Sequence, residues 1–180
     1  MGAFDWFWKA MGSTSERNNK KSKGVVAAAQ GLIEELSLLD DAALASTVRS
    51  TVAGGEIADK ARFLAGLSVA SQRTLGMTPF EVQNQAVLRL LEGDVIQMAT
   101  GEGKTLVGAM AATGYALTGK RVHVITVNNY LAGRDAEWMR PLVEFFGLTV
   151  APVTESSTRA ERVAAYACDV ICLLYTSDAA

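Results

Sequence analysis

The run Thr100-Gly101-Glu102-Gly103-Lys104-Thr105 constrains this chain more than any other feature, because it sits between an apolar stretch, Val95 to Ala99, and an alanine-rich helical pattern, Lys104 to Leu117. A short strand, a glycine-rich turn and a helix in that order belong to α/β architectures, in which ligands gather at the carboxyl ends of parallel strands. Such a turn aims successive backbone N–H groups into one concavity and places a helix N-terminus behind it, which suits a polyphosphate. Lys104 can then reach the β- and γ-phosphates, and the Thr105 hydroxyl can complete a Mg²⁺ shell. Met98 stands where the strict pattern Gly-x-x-x-x-Gly-Lys-Ser/Thr has glycine, a departure that suits the helicase-like branch of P-loop motors. A glycine-rich surface turn leading into a helix is the competing reading, and the flanking patterns favour the nucleotide loop.

The rest of the chain is read around that loop. From Met77 onward, helical and strand-like stretches alternate: helix over Glu81–Leu91, strand over Val95–Ala99, helix over Lys104–Leu117, strand over Val122–Val127, helix from Asn129 to Phe146 and strand over Leu148–Val153. A weaker helix from Thr158 to Tyr166 and a strand beginning at Asp169-Val170 follow. Alternation of this kind implies a parallel sheet covered on both faces. Upstream, Val25–Leu39 is a helical pattern, Asp40 or Asp41 caps a second helix running to the Gly54-Gly55 pair, and Ile57–Leu75 is a third helix stopped at Gly76. The expected fold is therefore α/β: a helical N-terminal segment followed by an incomplete P-loop sheet of RecA-like, helicase type. Its expected divisions are an amphipathic and basic segment (1–24), a helical lead-in (25–76), the first part of a nucleotide-binding domain (77–171) and a tail (172–180).

The two ends carry their own expectations. Phe4, Phe7, Trp8 and Met11 share one helical face, and Arg17, Lys20, Lys21 and Lys23 follow in a polar run from Ser13 to Lys23. An aromatic amphipathic turn beside basic residues can lie on an anionic membrane surface; a short docked helix followed by a solvated linker accounts for the same residues equally well. At the other end, Cys172 to Ala180 resembles the in-frame translation of a transposase-type sequencing adapter and is set aside from fold reasoning, which implies that the natural protein continues past Ile171. The alternative is a genuine apolar strand, Val170 to Tyr175, followed by a polar turn. No stretch approaches the ~18 apolar residues of a membrane span, no signal-like segment opens the chain, and two cysteines are too few for a disulfide scaffold. A soluble protein of a reducing, cytosol-type compartment is expected.

Longer stretches resemble SecA, the preprotein-translocase motor ATPase. They are Gly76-Met77-Thr78-Pro79-Phe80-Glu81-Val82-Gln83 through the glycine-rich loop, and His123-Val124-Ile125-Thr126-Val127-Asn128-Asn129-Tyr130-Leu131-Ala132-Gly133-Arg134-Asp135-Ala136-Glu137-Trp138-Met139. Phe145-Phe146-Gly147-Leu148-Thr149-Val150 and the Ala165-Tyr166 to Asp169-Val170 end continue the match, which looks most like the accessory, second paralogue of some Gram-positive bacteria. The resemblance implies ATP and Mg²⁺ as ligands. It places Phe80 and Gln83 at the adenine with Met77 nearby, Thr100, Gly101, Glu102, Gly103, Lys104 and Thr105 around the phosphates, and Thr105 at the metal. Arg134 matches an arginine near the nucleotide, while a surface helix charge explains it as readily. A SecYEG-type channel, preprotein substrates and anionic lipids are the implied partners, on the cytoplasmic face of the membrane.

The sequence departs from the family at two positions: Asn129 stands where an aspartate is usual, and Gly133 where a basic or polar residue is usual. His123 is read as structural. Hydrolysis needs an acid that holds Mg²⁺ through water, a glutamate that orients the attacking water and an arginine from a second lobe; no Asp-Glu pair follows a later apolar strand here. The chain by itself is expected to bind nucleotide without appreciable turnover. A nucleic-acid helicase shares the loop and the upstream glutamine, but a net charge of −2 is unlike the basic groove of a strand-tracking motor, so no nucleic-acid partner is expected. A non-hydrolysing nucleotide-binding module is the third reading.

Overall fold

The computed structural model describes residues 14–174. The aromatic stretch Phe4 to Met11 lies outside the described residues. Helix α1 covers Thr14–Gln30, so the polar run that one of the two readings makes a solvated linker is helical from Thr14. The reason is a narrow stripe: Ser22, Val26 and Ala29 are buried while Lys20, Lys21 and Lys23 stay in solvent. A helix needs only such a stripe against a neighbour, whatever the charge of its outer face. The expected continuous helix to Leu39 is instead broken at Gly31-Leu32, and a short helix α2 follows at Ile33–Ser37.

Helix α3 (Asp41–Ser50) begins where Asp40 accepts a hydrogen bond from the Ala43 N–H at 2.7 Å. It ends in a two-stranded hairpin, β1 (Val52–Ala53) with β2 (Glu56–Ile57), so Gly54-Gly55 is a hairpin turn and not simply a helix stop. The third helix, α4 (Lys60–Leu75), starts three residues later than its apolar pattern suggests, because Asp59 caps it by accepting from the Arg62 N–H at 3.0 Å. Helix α5 (Glu81–Leu91) packs on α1, α4 and α6 (Lys104–Leu117). A buried polar pair, the Ser68 hydroxyl donating to Asn84 Oδ1 at 3.2 Å, pins α4 to α5. The Ser71 hydroxyl donates to the Met77 carbonyl at 2.8 Å and holds the connection between them.

The sheet consists of β3 (Val122–Thr126), β4 (Val150–Val153) and β5 (Val170–Leu174), all parallel in the order β3-β5-β4. Helix α7 (Asn129–Phe145) connects β3 to β4, and α8 (Arg159–Tyr166) connects β4 to β5. Every residue of β5 is buried, as expected of a central strand with neighbours on both edges. The strand runs on through Cys172, Leu173 and Leu174, into the segment set aside on sequence grounds, with Leu173 opposite Ile125 and Leu174 opposite Thr126. Val170 and Cys172 join the main core on one face of the sheet, while Ile171 and Leu173 pack with Val153 and Ala165 on the other.

Two sequence expectations give way here. Val95–Ala99 forms no strand, and Val95 is 98% exposed. A strand exists only through a neighbour that accepts its ladder hydrogen bonds, and none of the described strands lies alongside. The sheet is also not fully covered: α8, eight residues long, packs over β4, and Ile125 on β3 remains 57% exposed. The main core is continuous across the boundary expected at residue 76, joining Phe63 and Leu64 of α4 to Val87, Val107 and Met110. Lead-in helices and nucleotide-loop helix thus share one apolar interior.

Candidate nucleotide site

Two of the loop's glycines carry its conformation. Gly101 (φ 90°) and Gly103 (φ 76°) are left-handed, a region costly to residues with a Cβ, and Gly103 serves as the N-cap of α6. The Gly103 carbonyl accepts the Leu106 and Val107 N–H groups at 3.1 and 3.3 Å and starts the helix. Lys104 and Thr105 therefore occupy its first turn, both exposed, where backbone N–H groups have no intrahelical acceptor and the helix dipole is positive.

Within the loop, Ala99 is the hub. Its carbonyl accepts the Glu102 N–H at 3.3 Å and the Lys104 Nζ at 3.0 Å. Its own N–H donates to the Glu102 carboxylate at 2.6 Å. From the opposite side Gln83, buried in α5, donates through Nε2 to the Glu102 carbonyl at 2.9 Å. The Gln83 Oε1 meanwhile accepts the Phe80 N–H at 2.8 Å, capping the start of α5. A Cβ at position 103 would lie 2.3 Å from Gln83 Nε2, so a side chain there would displace the Gln83 carboxamide in addition to straining φ.

The sequence-derived site residues therefore fall into three groups. Thr100, Gly101, Glu102, Gly103, Lys104 and Thr105 form the loop and helix start, with Gln83 braced directly against them. Met77 and Phe80 lie on the connection into α5 with their side chains in solvent, Phe80 73% exposed. Arg134 stands on α7, exposed, its Nε and Nη2 both donating to Asp135 Oδ1 at 2.9 and 2.6 Å. Alongside the loop runs a cleft of about 540 Å³ between α1, α5 and the segment before the loop, lined by Val82, Gln85, Arg89, Val95, Met98 and Glu102.

Ala99 escaped the sequence reading, since its part is played by main-chain atoms that any residue possesses. The departures from the resembled pattern are structurally mild. Asn129 Oδ1 accepts the Glu155 N–H at 3.1 Å, a bond that an aspartate would make equally, and nothing lies within 4 Å of a Cβ placed at Gly133. His123 is exposed on β3 with its ring 6.0 Å from that of Tyr166, edge to face.

Magnesium and a nucleoside triphosphate fit this donor set. The Lys104 ammonium and the first-turn amides are positive toward an anion, the exposed Thr105 hydroxyl offers an oxygen to a metal, and the Glu102 carboxylate is the opposing charge beside them. Lys104 spans the loop to Ala99 on a four-carbon stem, so its rotation would deliver the charge outward without moving α6.

The family model described as the SecA DEAD-like domain matches residues 7–178. Protein translocase subunit SecA 2 of Corynebacterium glutamicum (strain R) is 61% identical over 171 residues, covering 95% of this chain and 22% of that protein. The SecA 2 subunit of Corynebacterium diphtheriae is 55% identical over the same length, with the same shares covered. Protein translocase subunit SecA 3 of Mycolicibacterium vanbaalenii is 49% identical over 166 residues, 91% of this chain and 21% of that protein. The chain thus spans about a fifth of the length of these curated relatives.

Proposed function

The chain belongs to the SecA family, and from that premise we propose that it supplies the phosphate-gripping part of a motor that uses ATP to drive preproteins through a SecYEG-type membrane channel. The observation that carries this reading is the loop from Ala99 to Thr105, with Lys104 and Thr105 on the first turn of α6. ATP with Mg²⁺ is the proposed ligand. Lys104 would neutralise phosphate oxygens, the Thr105 hydroxyl would take one position around Mg²⁺, and the amides of the helix start would hold the remaining charge. The metal, when bound, shields the charge that develops as the terminal phosphoryl group leaves.

Each group on this chain has a defined task under that reading. Lys104 gives one of its three N–H donors to the Ala99 carbonyl and would turn the others to an anion. Gln83, through its bond to the Glu102 carbonyl, sets the peptide plane that orients the loop. Phe80 and Met77, exposed one step from Gln83, offer an apolar wall for a purine face, as stacking on an adenine requires. Arg134 would have to exchange Asp135 for a phosphate to act on the nucleotide. Secretory preproteins, anionic lipids and a place on the cytoplasmic face of the membrane complete the proposal, and nucleic acid has no part in it.

ATPase measurements on the full-length protein test it. Vesicles containing the channel, together with an unfolded preprotein, should raise turnover several-fold above the rate in solution. Stimulation by RNA in place of channel and preprotein would favour a helicase instead.

A further inference from the structure

Glu102 holds Ala99 by both of its polar ends. The Ala99 N–H donates to the Glu102 carboxylate at 2.6 Å, and the Ala99 carbonyl accepts the Glu102 N–H at 3.3 Å. Lys104 Nζ joins the same carbonyl at 3.0 Å. Two of the groups a phosphate would need, the residue 102 amide and the Lys104 ammonium, are therefore turned inward onto one oxygen. A carboxylate at such a place is itself an anion seated in an anion loop, and its bond to Ala99 is charge-assisted.

We infer that Glu102 is an internal latch on this loop, its carboxylate keeping the Ala99–Glu102 turn closed until phosphate displaces it. The inference rests on the phosphate-binding reading of this loop and adds how access to it is controlled. Opening is confined to the first half of the loop. Gln83 grips the Glu102 carbonyl at 2.9 Å from the helix α5 side, and the Gly103 carbonyl is committed to the first turn of α6. The moving part is thus Thr100, Gly101 and the Glu102 side chain, all exposed, and Gly101 has nothing within 4 Å of a Cβ position to hinder it. Once the carboxylate leaves Ala99, its negative charge also stands beside the incoming anion, so the latch opposes entry twice: by its bond and by repulsion.

Two measurements on the full-length protein, wild type beside Glu102→Ala and Glu102→Gln, test the latch. Binding of a fluorescent methylanthraniloyl ADP with Mg²⁺, followed by stopped flow, should show association about 3- to 10-fold faster in Glu102→Ala, the effect of losing one charge-assisted bond at an exposed site. Glu102→Gln should fall between, because its amide oxygen can still accept from Ala99 without the charge. In the nucleotide-free protein, hydrogen exchange at the Ala99 amide should quicken about tenfold in Glu102→Ala. Wild-type binding with association unchanged or slowed in both variants, or with Ala99 exchange unmoved, overturns the latch alone. A wild type that binds no Mg²⁺-nucleotide overturns the phosphate reading itself and takes the latch with it.

Discussion

Replacing Gly103 by alanine should cost far more than replacing Gly101, although both are left-handed. At either position an alanine in that conformation loses about 1 kcal/mol to the clash between its Cβ and the backbone. Nothing else lies within 4 Å of a Cβ at 101, so the cost there ends. At 103 the new Cβ would fall 2.3 Å from Gln83 Nε2. The carboxamide, the far end of a flexible side chain, must swing aside and surrender its bonds to the Glu102 carbonyl and the Phe80 N–H. Two such bonds contribute about 1 kcal/mol each, which brings Gly103→Ala to about 3 kcal/mol. Among the described residues the only other atom near that Cβ is Gln83 Cδ at 3.6 Å, so removing Gln83 removes the obstacle. Urea unfolding of the nucleotide-free protein should give a double-mutant coupling of about 2 kcal/mol between Gly103→Ala and Gln83→Ala, against none between Gly101→Ala and Gln83→Ala. Strictly additive costs for the first pair would show that Gln83 does not brace the loop.

Two further outcomes follow from the core and from charge. Gly66 of α4 lies so close to α3 that a Cβ would stand 2.2 Å from Val48 Cγ2, with both Val48 and Leu44 fully buried. Gly66→Ala should therefore lose about 1–2 kcal/mol in thermal unfolding despite its better helix propensity, and Val48→Ala should cost less in that background than alone. Burial raises the pKa of the Glu92 carboxyl, but the Lys60 hydrogen bond and the charges of Lys60 and Arg89 outweigh it, so its pKa falls below the ordinary 4.5. A depressed folded-state pKa means stabilisation present above the unfolded value and lost as the pH falls through the folded one. Melting temperatures measured from pH 6 down to pH 3 should drop less steeply in Glu92→Gln than in the wild type. The difference, for partly exposed ion pairs, should amount to about 0.5–1 kcal/mol.

What the sequence discloses here is local chemistry with a defined reach. The glycine pattern is legible as a turn into a helix because Gly101 and Gly103 take left-handed backbone and the helix starts at Lys104. A cap at Asp40 or Asp41 is likewise legible, and the Ala43 N–H bond selects Asp40. Helices α5, α6 and α7 follow their apolar periodicity to within a residue. Val95–Ala99 forms no strand although its short apolar run describes a willing one, because pairing depends on a neighbour elsewhere in the chain. The start of α1 is not legible because the charge and polarity of Ser13–Lys23 fit a solvated linker and a basic run on a membrane alike, and only tertiary contact reveals Ser22, Val26 and Ala29 as a buried stripe. The resemblance implies a place for Gln83 at the adenine, while its bonds to Phe80 and Glu102 are a tertiary fact that no spacing discloses. Ala99 could not be found at all, as its contribution is purely main-chain.

Calorimetric titration of the full-length protein with ADP, with and without Mg²⁺, beside its Lys104→Ala variant, tests the central claim most directly. The account expects one saturable site in the wild type, weakened at least tenfold by chelating the metal and abolished by Lys104→Ala, with the thermal stability of the variant unchanged. A wild type that binds no nucleotide, or a Lys104→Ala variant that binds as tightly as its parent, would contradict it.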